Sequence, residues 1–192
     1  MVHHMSNSTQ VLRPGDALII VDVQIDFCPG GALPIEHGDE VVPVLNRWTS
    51  AALGAEVPVV LSRDWHPRQH LSFKANGGEW PVHCVQDSPG ARFHPDLTIP
   101  ESAIIVTKGV RFDREQYSAF DQTGLAIELQ KHDVRRVWVG GLAQDVCVRA
   151  TVLQARREGF DAVVIMDGTR PVTGAGGARA IEEMREAGAS FL

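Results

Sequence analysis

Three residues that could form a cysteine-based hydrolytic site follow apolar runs of the sequence. Asp22 ends the run ALIIVD, Lys108 ends AIIVTK, and Cys147 comes a short loop after the glycines of RRVWVGG. An acid that accepts the thiol proton and a lysine that stabilises the negative charge would convert a cysteine into a nucleophile. The N–H groups of Cys147 and of the preceding loop could bind an oxyanion, so the predicted chemistry is acyl transfer through a thioester.

Each of these residues also has a simpler interpretation. An isolated cysteine in a helix is more often a small buried hydrophobe than a nucleophile. Asp22 could cap the turn after its strand, although Asp26 precedes the turn-rich FCPGG and suits that purpose better, and Lys108 could be solvated. Asp145, at the start of the helix that carries Cys147, is interpreted as a dipole partner or a loop anchor.

A second group of residues has the composition of a metal site. Asp64 and His66 are two positions apart in SRDWHP and can point the same way in an extended chain, and His83 follows in EWPVHC. One carboxylate and two imidazoles suit zinc, iron or manganese and leave a coordination position for water or substrate. By itself this pattern leaves a metal site and a hydrogen-bonded loop equally open. His3 and His4 resemble a tag remnant and are left out of this set.

The elements that must position these residues are apolar runs that alternate with helical patterns. The segments predicted as strands are 17–22, 58–64, 103–108, 135–141 and 161–167, with a short sixth at 189–192. The segments predicted as helices are 39–54, 123–132, 145–159 and 176–188. Uninterrupted apolar strands followed by helices indicate a parallel sheet covered on both faces. Since ligands bind at the carboxyl ends of such strands, Asp22, Asp64, Lys108 and Cys147 should meet at one edge.

The composition of the chain restricts the classes of partner that the protein can bind and its predicted location in the cell. The net charge of −6 and the lack of a basic cluster argue against nucleic acid, and no apolar run approaches the length of a membrane span. We therefore expect a small-molecule substrate, no membrane, and one domain over residues 16–192 after a flexible segment at 1–15; association into a homo-oligomer is left open. Three cysteines without disulfide spacing, and no apolar signal sequence, predict a cytoplasmic protein.

Taken together, the motifs resemble the nicotinamidase/pyrazinamidase branch of the isochorismatase-like cysteine hydrolases. The matching segments follow the family order from about residue 17 to residue 167: LIIVDVQIDFCPGGAL, SRDWHP with HLSF, EWPVHCVQDSPGARFHPDL, VTKG, YSAF and VGGLAQDVCVRATVLQA. This resemblance implies the isochorismatase-like hydrolase fold, a three-layer α/β/α sandwich. Its six-stranded parallel sheet would have the strand order 3-2-1-4-5-6.

The resemblance also implies roles for individual residues. The catalytic triad would be Asp22, Lys108 and Cys147, and the metal ligands would be Asp64, His66 and His83, with His70 as a further candidate. The oxyanion hole would be formed by the N–H groups of Ala143 and Cys147, next to a cis peptide bond at Leu142–Ala143. The substrate-binding residues would be Phe27, Trp80 and Tyr117, of which the first two flank a pyridine ring.

The activity implied is hydrolysis of a linear C–N bond by a metal-dependent amidase. Nicotinamide, and also pyrazinamide, would be deaminated through a thioester on the cysteine, in NAD salvage, with one divalent metal ion: zinc, or else iron or manganese. One alternative is another isochorismatase-like hydrolase, an isochorismatase or an N-carbamoyl amide hydrolase, although such relatives commonly lack the DxH…WPxHC set. Another alternative is a non-catalytic binding domain on the same fold, against which the intact Asp22, Lys108 and Cys147 argue.

Overall fold

The structure is a computed structural model that describes residues 11–192 of the chain. Most of the segment predicted to be flexible, together with His3 and His4, therefore lies outside the described residues. Within that segment, Leu12 is buried and packs with the hydrophobic core. No helix in the described range is long and apolar enough to cross a bilayer.

Six strands form one sheet in which every pairing is parallel. The strands are β1 Asp16–Val21, β2 Val59–Asp64, β3 Ile104–Lys108, β4 Arg136–Leu142, β5 Asp161–Arg170 and β6 Ser190–Phe191. Their order is β3-β2-β1-β4-β5-β6, which confirms the predicted topology. All residues of β1 are buried, as expected for a central strand covered on both faces.

Four α-helices cover the two faces of the sheet: α1 Val41–Gly54, α2 Leu125–Lys131, α3 Arg149–Arg157 and α4 Gly174–Glu186. Alternate residues of β1 pack into two separate apolar clusters. Leu18 and Ile20 join the cluster that contains the buried face of α1, whereas Ile19 and Val21 join the cluster beneath α2, α3 and α4. The sheet therefore lies between two helical layers, and its core is divided into two halves.

The chain around β4 differs from the predicted boundaries. The predicted strand 135–141 is shifted by one residue, since β4 begins at Arg136 and continues through both glycines to Leu142. Gly141 has φ +118°, and a Cβ there would lie 2.1 Å from the carbonyl oxygen of Val21, so glycine is needed for the close approach of β1. The predicted helix begins one residue early as a π-helical turn, Gln144–Val148, in which the Val148 N–H donates to the Ala143 carbonyl at 3.0 Å.

The long irregular segment 65–101 is held to the rest of the chain by specific backbone contacts. It contains two 3-10 turns, Lys74–Asn76 and Pro89–Ala91, and isolated bridges that link His66 with Val85 and Phe73 with Trp80. The Gln24 side-chain amide donates to the carbonyls of Asp64 and Ala91, each at 2.8 Å. These contacts pack the segment against the carboxyl ends of β1 and β2, where the candidate site lies.

Candidate active site

The carboxyl ends of four neighbouring strands, β3, β2, β1 and β4, bring the predicted triad and Asp64 together around one ammonium group. Asp22 directly follows β1, Asp64 and Lys108 end β2 and β3 in register, and Cys147 lies in the π turn after β4. The Lys108 Nζ lies 2.7 Å from Asp22 Oδ2, 2.6 Å from Asp64 Oδ1 and 3.5 Å from Cys147 Sγ. Because Lys108 is completely buried, its interpretation as a solvated lysine is wrong.

The Asp22 carboxylate is held in a strained and fully enclosed position. Its backbone has φ +49°, a left-handed conformation that is costly for a residue other than glycine. The Ser62 hydroxyl donates to Asp22 Oδ1 at 2.7 Å, on the side opposite to the Lys108 contact. Burial raises the pKa of Asp22 to about 6, although Lys108 opposes the shift. At neutral pH this carboxylate is therefore mostly ionised and can still accept a proton.

The Cys147 thiol is protonated in the resting site. Burial raises the pKa of Cys147 well above its usual value; Lys108 opposes this rise, and the carboxylates of Asp22 and Asp64 add to it. The sequence suggested a thiolate stabilised by Lys108, which leaves out this desolvation. The thiolate consequently has to form by proton transfer to a neighbouring base. Asp22 and Asp64 both have a carboxylate oxygen within 4.8 Å of the Cys147 sulfur. Asp22 is the better base because burial raises its pKa, whereas Lys108 and His66 hold the pKa of Asp64 below its usual value against the effect of burial.

The predicted metal ligands also meet in one place. Asp64 Oδ2 lies 3.5 Å from His66 Nε2 and 4.0 Å from His83 Nε2. The Nδ1 atoms of His66 and His83 lie 2.8 Å from the Gly109 carbonyl and 2.7 Å from the Pro81 carbonyl, so each Nε2 is the atom left to bind a ligand. The buried His66 Nε2 has no hydrogen-bond partner among residues 11–192. A carboxylate and two oriented imidazoles fit a divalent cation.

His70 lies directly beside this set. Its ring stacks on His66 with centroids 4.2 Å apart, and its Nδ1 lies 2.7 Å from the Ser72 hydroxyl. The His70 Nε2 is buried and lacks a hydrogen-bond partner in the described chain. His70, His66 and Glu115 can bring ligand atoms within 4.8 Å of one another. The structure thus places His70 next to the metal set, and its role as a ligand stays a prediction.

A second group of residues also has the spacing of metal ligands, but its surroundings disfavour a cation. Ligand atoms of Asp22, Asp64 and Cys147 also lie within 4.8 Å of one another. The Lys108 ammonium contacts all three of these side chains, and its pKa is held well above the ordinary value by the two carboxylates, against the effect of burial. A metal ion at this point would meet a permanent positive charge, so the imidazole-containing set is the better metal site.

The two groups of residues open onto one cavity. The residues that line it include all three predicted substrate-binding residues, both predicted oxyanion-hole residues and two predicted metal ligands: Phe27, Trp80, Tyr117, Ala143, Cys147, Asp64 and His83. The Trp80 indole N–H donates to the Tyr117 hydroxyl at 3.1 Å, and the Phe27 ring packs on His83 with centroids 5.5 Å apart. The Leu142–Ala143 peptide bond is cis, as the resemblance implied.

Comparisons with known proteins agree with this arrangement. The isochorismatase domain profile matches residues 16–192 of the chain. The chain belongs to the isochorismatase family. A nicotinamidase of Escherichia coli is 38% identical to it, and the alignment covers 93% of this chain and 94% of that protein. The predicted resemblance to the nicotinamidase/pyrazinamidase branch is therefore confirmed.

Two solved structures share the fold closely. The pyrazinamidase of Pyrococcus horikoshii in complex with zinc has a TM-score of 0.90 and 42% identity, covering 93% of this chain and 99% of that one. PnC1 from L. infantum in complex with nicotinate has a TM-score of 0.88 and 39% identity, covering 93% of this chain and 92% of that one. The isochorismatase-like hydrolase fold predicted for the chain is thus confirmed as well.

Sequence reasoning missed several residues that build the site of this family member. Ser62 bonds Asp22, Gln24 clamps Asp64 from both sides of its peptide, and Glu115 lines the cavity beside the histidines. Ser62 carried a recognisable signal, since it interrupts the apolar run PVVLSRD of a buried strand. Glu115 lies in a polar loop, and nothing in its sequence neighbourhood distinguishes it from a solvated residue.

Proposed function

We propose that this protein is a metal-dependent amide hydrolase that converts nicotinamide to nicotinate and ammonia and also accepts pyrazinamide. One observation carries the proposal: the Cys147 thiol, the Asp64 and His83 part of the metal set, and an aromatic wall of Phe27 and Trp80 all line one cavity. A flat pyridine ring with a carboxamide matches this combination, because it offers an aromatic face, a ring nitrogen and an acyl carbon. The nicotinamidase relatives and the nicotinate-bound neighbour support the same substrate class.

The residues of this chain supply the proton transfers and the nucleophile. Asp22 takes the proton from Cys147, and the thiolate forms a C–S bond to the carboxamide carbon. The N–H groups of Ala143 and Cys147 bind the oxyanion. Asp22 then returns the proton to the departing ammonia, leaving a nicotinoyl thioester, and next deprotonates the water that breaks the C–S bond. Nicotinate leaves and the thiol regains its proton, while Lys108 stabilises each negatively charged stage.

The metal ion would be held by Asp64, His66 and His83, with His70 as a further candidate. When bound, it supplies a Lewis acid that orients the substrate through the pyridine nitrogen. We infer zinc, with iron or manganese as the alternatives, since imidazole and carboxylate ligands serve all three. The zinc complex of the P. horikoshii pyrazinamidase supports this choice.

Further parts of the proposal concern the protein as a whole. We infer that residues 16–192 act as a single catalytic domain in NAD salvage, in the cytoplasm. The extent of the family match supports the domain assignment, and three cysteines without a disulfide partner support a reducing compartment.

The decisive experiment measures ammonia released from nicotinamide by the purified protein, its Cys147→Ala variant and a Cys28→Ala control. We expect turnover by the wild type and the control, and a loss of at least ~10⁴-fold for Cys147→Ala, because the nucleophile is removed. Cys28 is a suitable control because it is also buried, and burial raises its pKa to about 11. A protein that instead hydrolysed a vinyl ether or an N-carbamoyl amide would be another isochorismatase-like hydrolase, and one with no turnover of any of these would favour the binding-domain alternative.

A further inference from the structure

The substrate cavity shares one wall with a second, larger cavity. The substrate cavity has a volume of about 40 Å³, and the neighbouring outer cavity has about 290 Å³. Three residues line both of them, Trp80, Val146 and Val172. Val172 lies in the loop between β5 and α4, and its residue surface is 40% exposed. Val172 therefore forms the boundary between the two spaces together with Trp80 and Val146, and its small apolar side chain is the part of that boundary on the loop between β5 and α4.

A carboxylate that the proposed reaction does not use holds this loop in place. Asp145 Oδ1 accepts a hydrogen bond from the Val172 N–H at 2.8 Å, and Asp145 Oδ2 accepts a longer one from the Thr173 N–H at 3.4 Å. Asp145 belongs to the π turn that carries Cys147, so one side chain ties the nucleophile turn to the Val172 loop. A Cβ at Gly176 would lie 2.2 Å from Asp145 Oδ2, so the start of α4 also leaves room for this carboxylate.

The outer cavity is more polar than the substrate cavity. Arg149, Arg179 and Glu183 line it, and Arg149 Nε donates to Glu183 Oε2 at 2.7 Å. The lining of the substrate cavity includes apolar side chains such as Leu33, Ile35 and Val172. A ring substituent that passed Val172 would leave an apolar space and enter one that accommodates polar groups.

We propose that Val172 is a specificity-determining residue that limits the substrate to pyridine carboxamides without a large ring substituent, and that Asp145 is the positioning residue that keeps it there. This inference rests on the proposed function, because it concerns the substrate of that site. Shortening Val172 joins the two cavities and gives a ring substituent a path into the outer one. Removing the Asp145 carboxylate has the same effect indirectly, since the Val172 loop then loses its anchor.

The test compares kcat and KM for nicotinamide and for nicotinamides with methyl or propyl groups at ring positions 5 and 6. The proteins are the wild type, Val172→Ala, Asp145→Ala, Asp145→Asn, and the control Val11→Ala, whose exposure of 36% is similar to that of Val172. For Val172→Ala we expect the ratio of kcat/KM for a substituted amide to that for nicotinamide to rise about 10-fold or more, since one methylene-sized contact is worth ~10–200-fold in discrimination. The KM for nicotinamide should increase with little change in kcat.

The Asp145 variants show whether Asp145 positions Val172 or instead supports the active site in general. Asp145→Ala should shift the substrate ratio in the same direction as Val172→Ala, whereas Asp145→Asn keeps an oxygen for the Val172 N–H and should stay close to the wild type. If Asp145→Ala lowered kcat for every substrate and left the ratio unchanged, Asp145 would act on the Cys147 turn and the positioning role would be wrong. An unchanged ratio in Val172→Ala, equal to that in Val11→Ala, would overturn the proposal for Val172.

A second measurement tests, without substrate turnover, whether Val172 separates the two cavities. Alkylation of Cys147 by iodoacetamide and by the bulkier N-phenylmaleimide can be followed by peptide mass spectrometry. Val172→Ala should raise the rate with the maleimide several-fold more than the rate with iodoacetamide. If the wild type failed to hydrolyse nicotinamide, the proposed function would be contradicted, while the selective gain with the maleimide would still support Val172 as a barrier between the two cavities. Equal effects of Val172→Ala on both reagents would refute that role of Val172.

Discussion

Asp22 and Lys108 show how burial sets the chemistry of single residues in this site. Desolvation alone would neutralise both groups, and their contact at 2.7 Å keeps the pair charged. The cost of this arrangement is visible in Asp22, whose pKa is raised to about 6 despite its cationic neighbour. A carboxylate with such a pKa is a stronger base than an exposed aspartate and remains ionised at neutral pH, which suits proton exchange with a thiol.

The activity should therefore lose its base in mild acid. Asp22 must be ionised to accept the Cys147 proton, so kcat/KM for nicotinamide should be level above about pH 7. Below pH 6 it should fall roughly tenfold per pH unit, because the protonated fraction of Asp22 rises at that rate. The measurement is a pH profile from 4.5 to 8, with the metal content of the protein determined at each pH. A level profile down to pH 4.5 with full metal content would contradict the role of Asp22 as the base.

The loop after β3 positions the predicted metal ligand His66 without supplying a ligand atom of its own. Gly109 follows Lys108 with φ +70°, and its carbonyl accepts the Nδ1 proton of His66. A Cβ at Gly109 would lie 2.5 Å from His66 Cε1. Glycine is thus required both for the left-handed backbone and for the room that the imidazole occupies.

Substitution of Gly109 should weaken metal binding specifically. In Gly109→Ala the His66 ring must move, and we expect metal affinity to fall by about 10–100-fold, as for lost outer contacts of metal ligands. Gly124→Ala is the matched control, because Gly124 has a similar φ of +77° and its Cβ would have no neighbour within 4 Å. Metal content after dialysis against a weak chelator checks this. Equal metal loss in both variants would mean that backbone strain, and not the displaced His66, is responsible.

The whole molecule gains its stability from parts that do not depend on the metal site. The two apolar clusters lie on opposite faces of the sheet, and neither includes Asp64, His66 or His83. This distinguishes the protein from small zinc domains, in which metal binding supplies the folding free energy. The metal site lies at the carboxyl edge of the sheet and is assembled on an existing scaffold.

Removing the metal should consequently abolish most of the activity and leave the fold intact. After treatment with a strong chelator we expect nicotinamide turnover to drop at least ~10-fold, while the far-UV circular dichroism spectrum remains that of the folded protein. The Tm should fall only as far as the lost free energy of metal binding requires. Adding Zn²⁺, Mn²⁺ or Fe²⁺ separately should restore activity and rank the metals. Unfolding of the metal-free protein would contradict this division between scaffold and site, and full activity of the metal-free protein would remove the metal from the mechanism.

The sequence by itself determined the layered fold and predicted which charged residues would meet at one edge of the sheet. Uninterrupted apolar strands require cover on both faces, and parallel strands direct their carboxyl ends to one edge, so Asp22, Asp64 and Lys108 were predicted to meet there. The order of the strands relied on the resemblance of the motifs to a known family, whereas the choice of nucleophile over core residue for Cys147 followed from the predicted meeting of Asp22 and Lys108 at the same edge. Local patterns were sufficient for the layers and for the shared edge, because these depend on periodicity and on strand ends.

Only the tertiary structure decided the protonation of the site and the shape of its cavity. The raised pKa of Cys147 follows from burial and from carboxylates that arrive from distant segments, so no local pattern could indicate it. Glycine is required at position 141 because the backbone of β1 lies against it at Val21, which is 120 positions earlier in the chain. The position of Val172 at the cavity depends on the hydrogen bond that its N–H donates to Asp145. Desolvation and close packing depend on which segments meet in space, and this information exists only once the chain has folded.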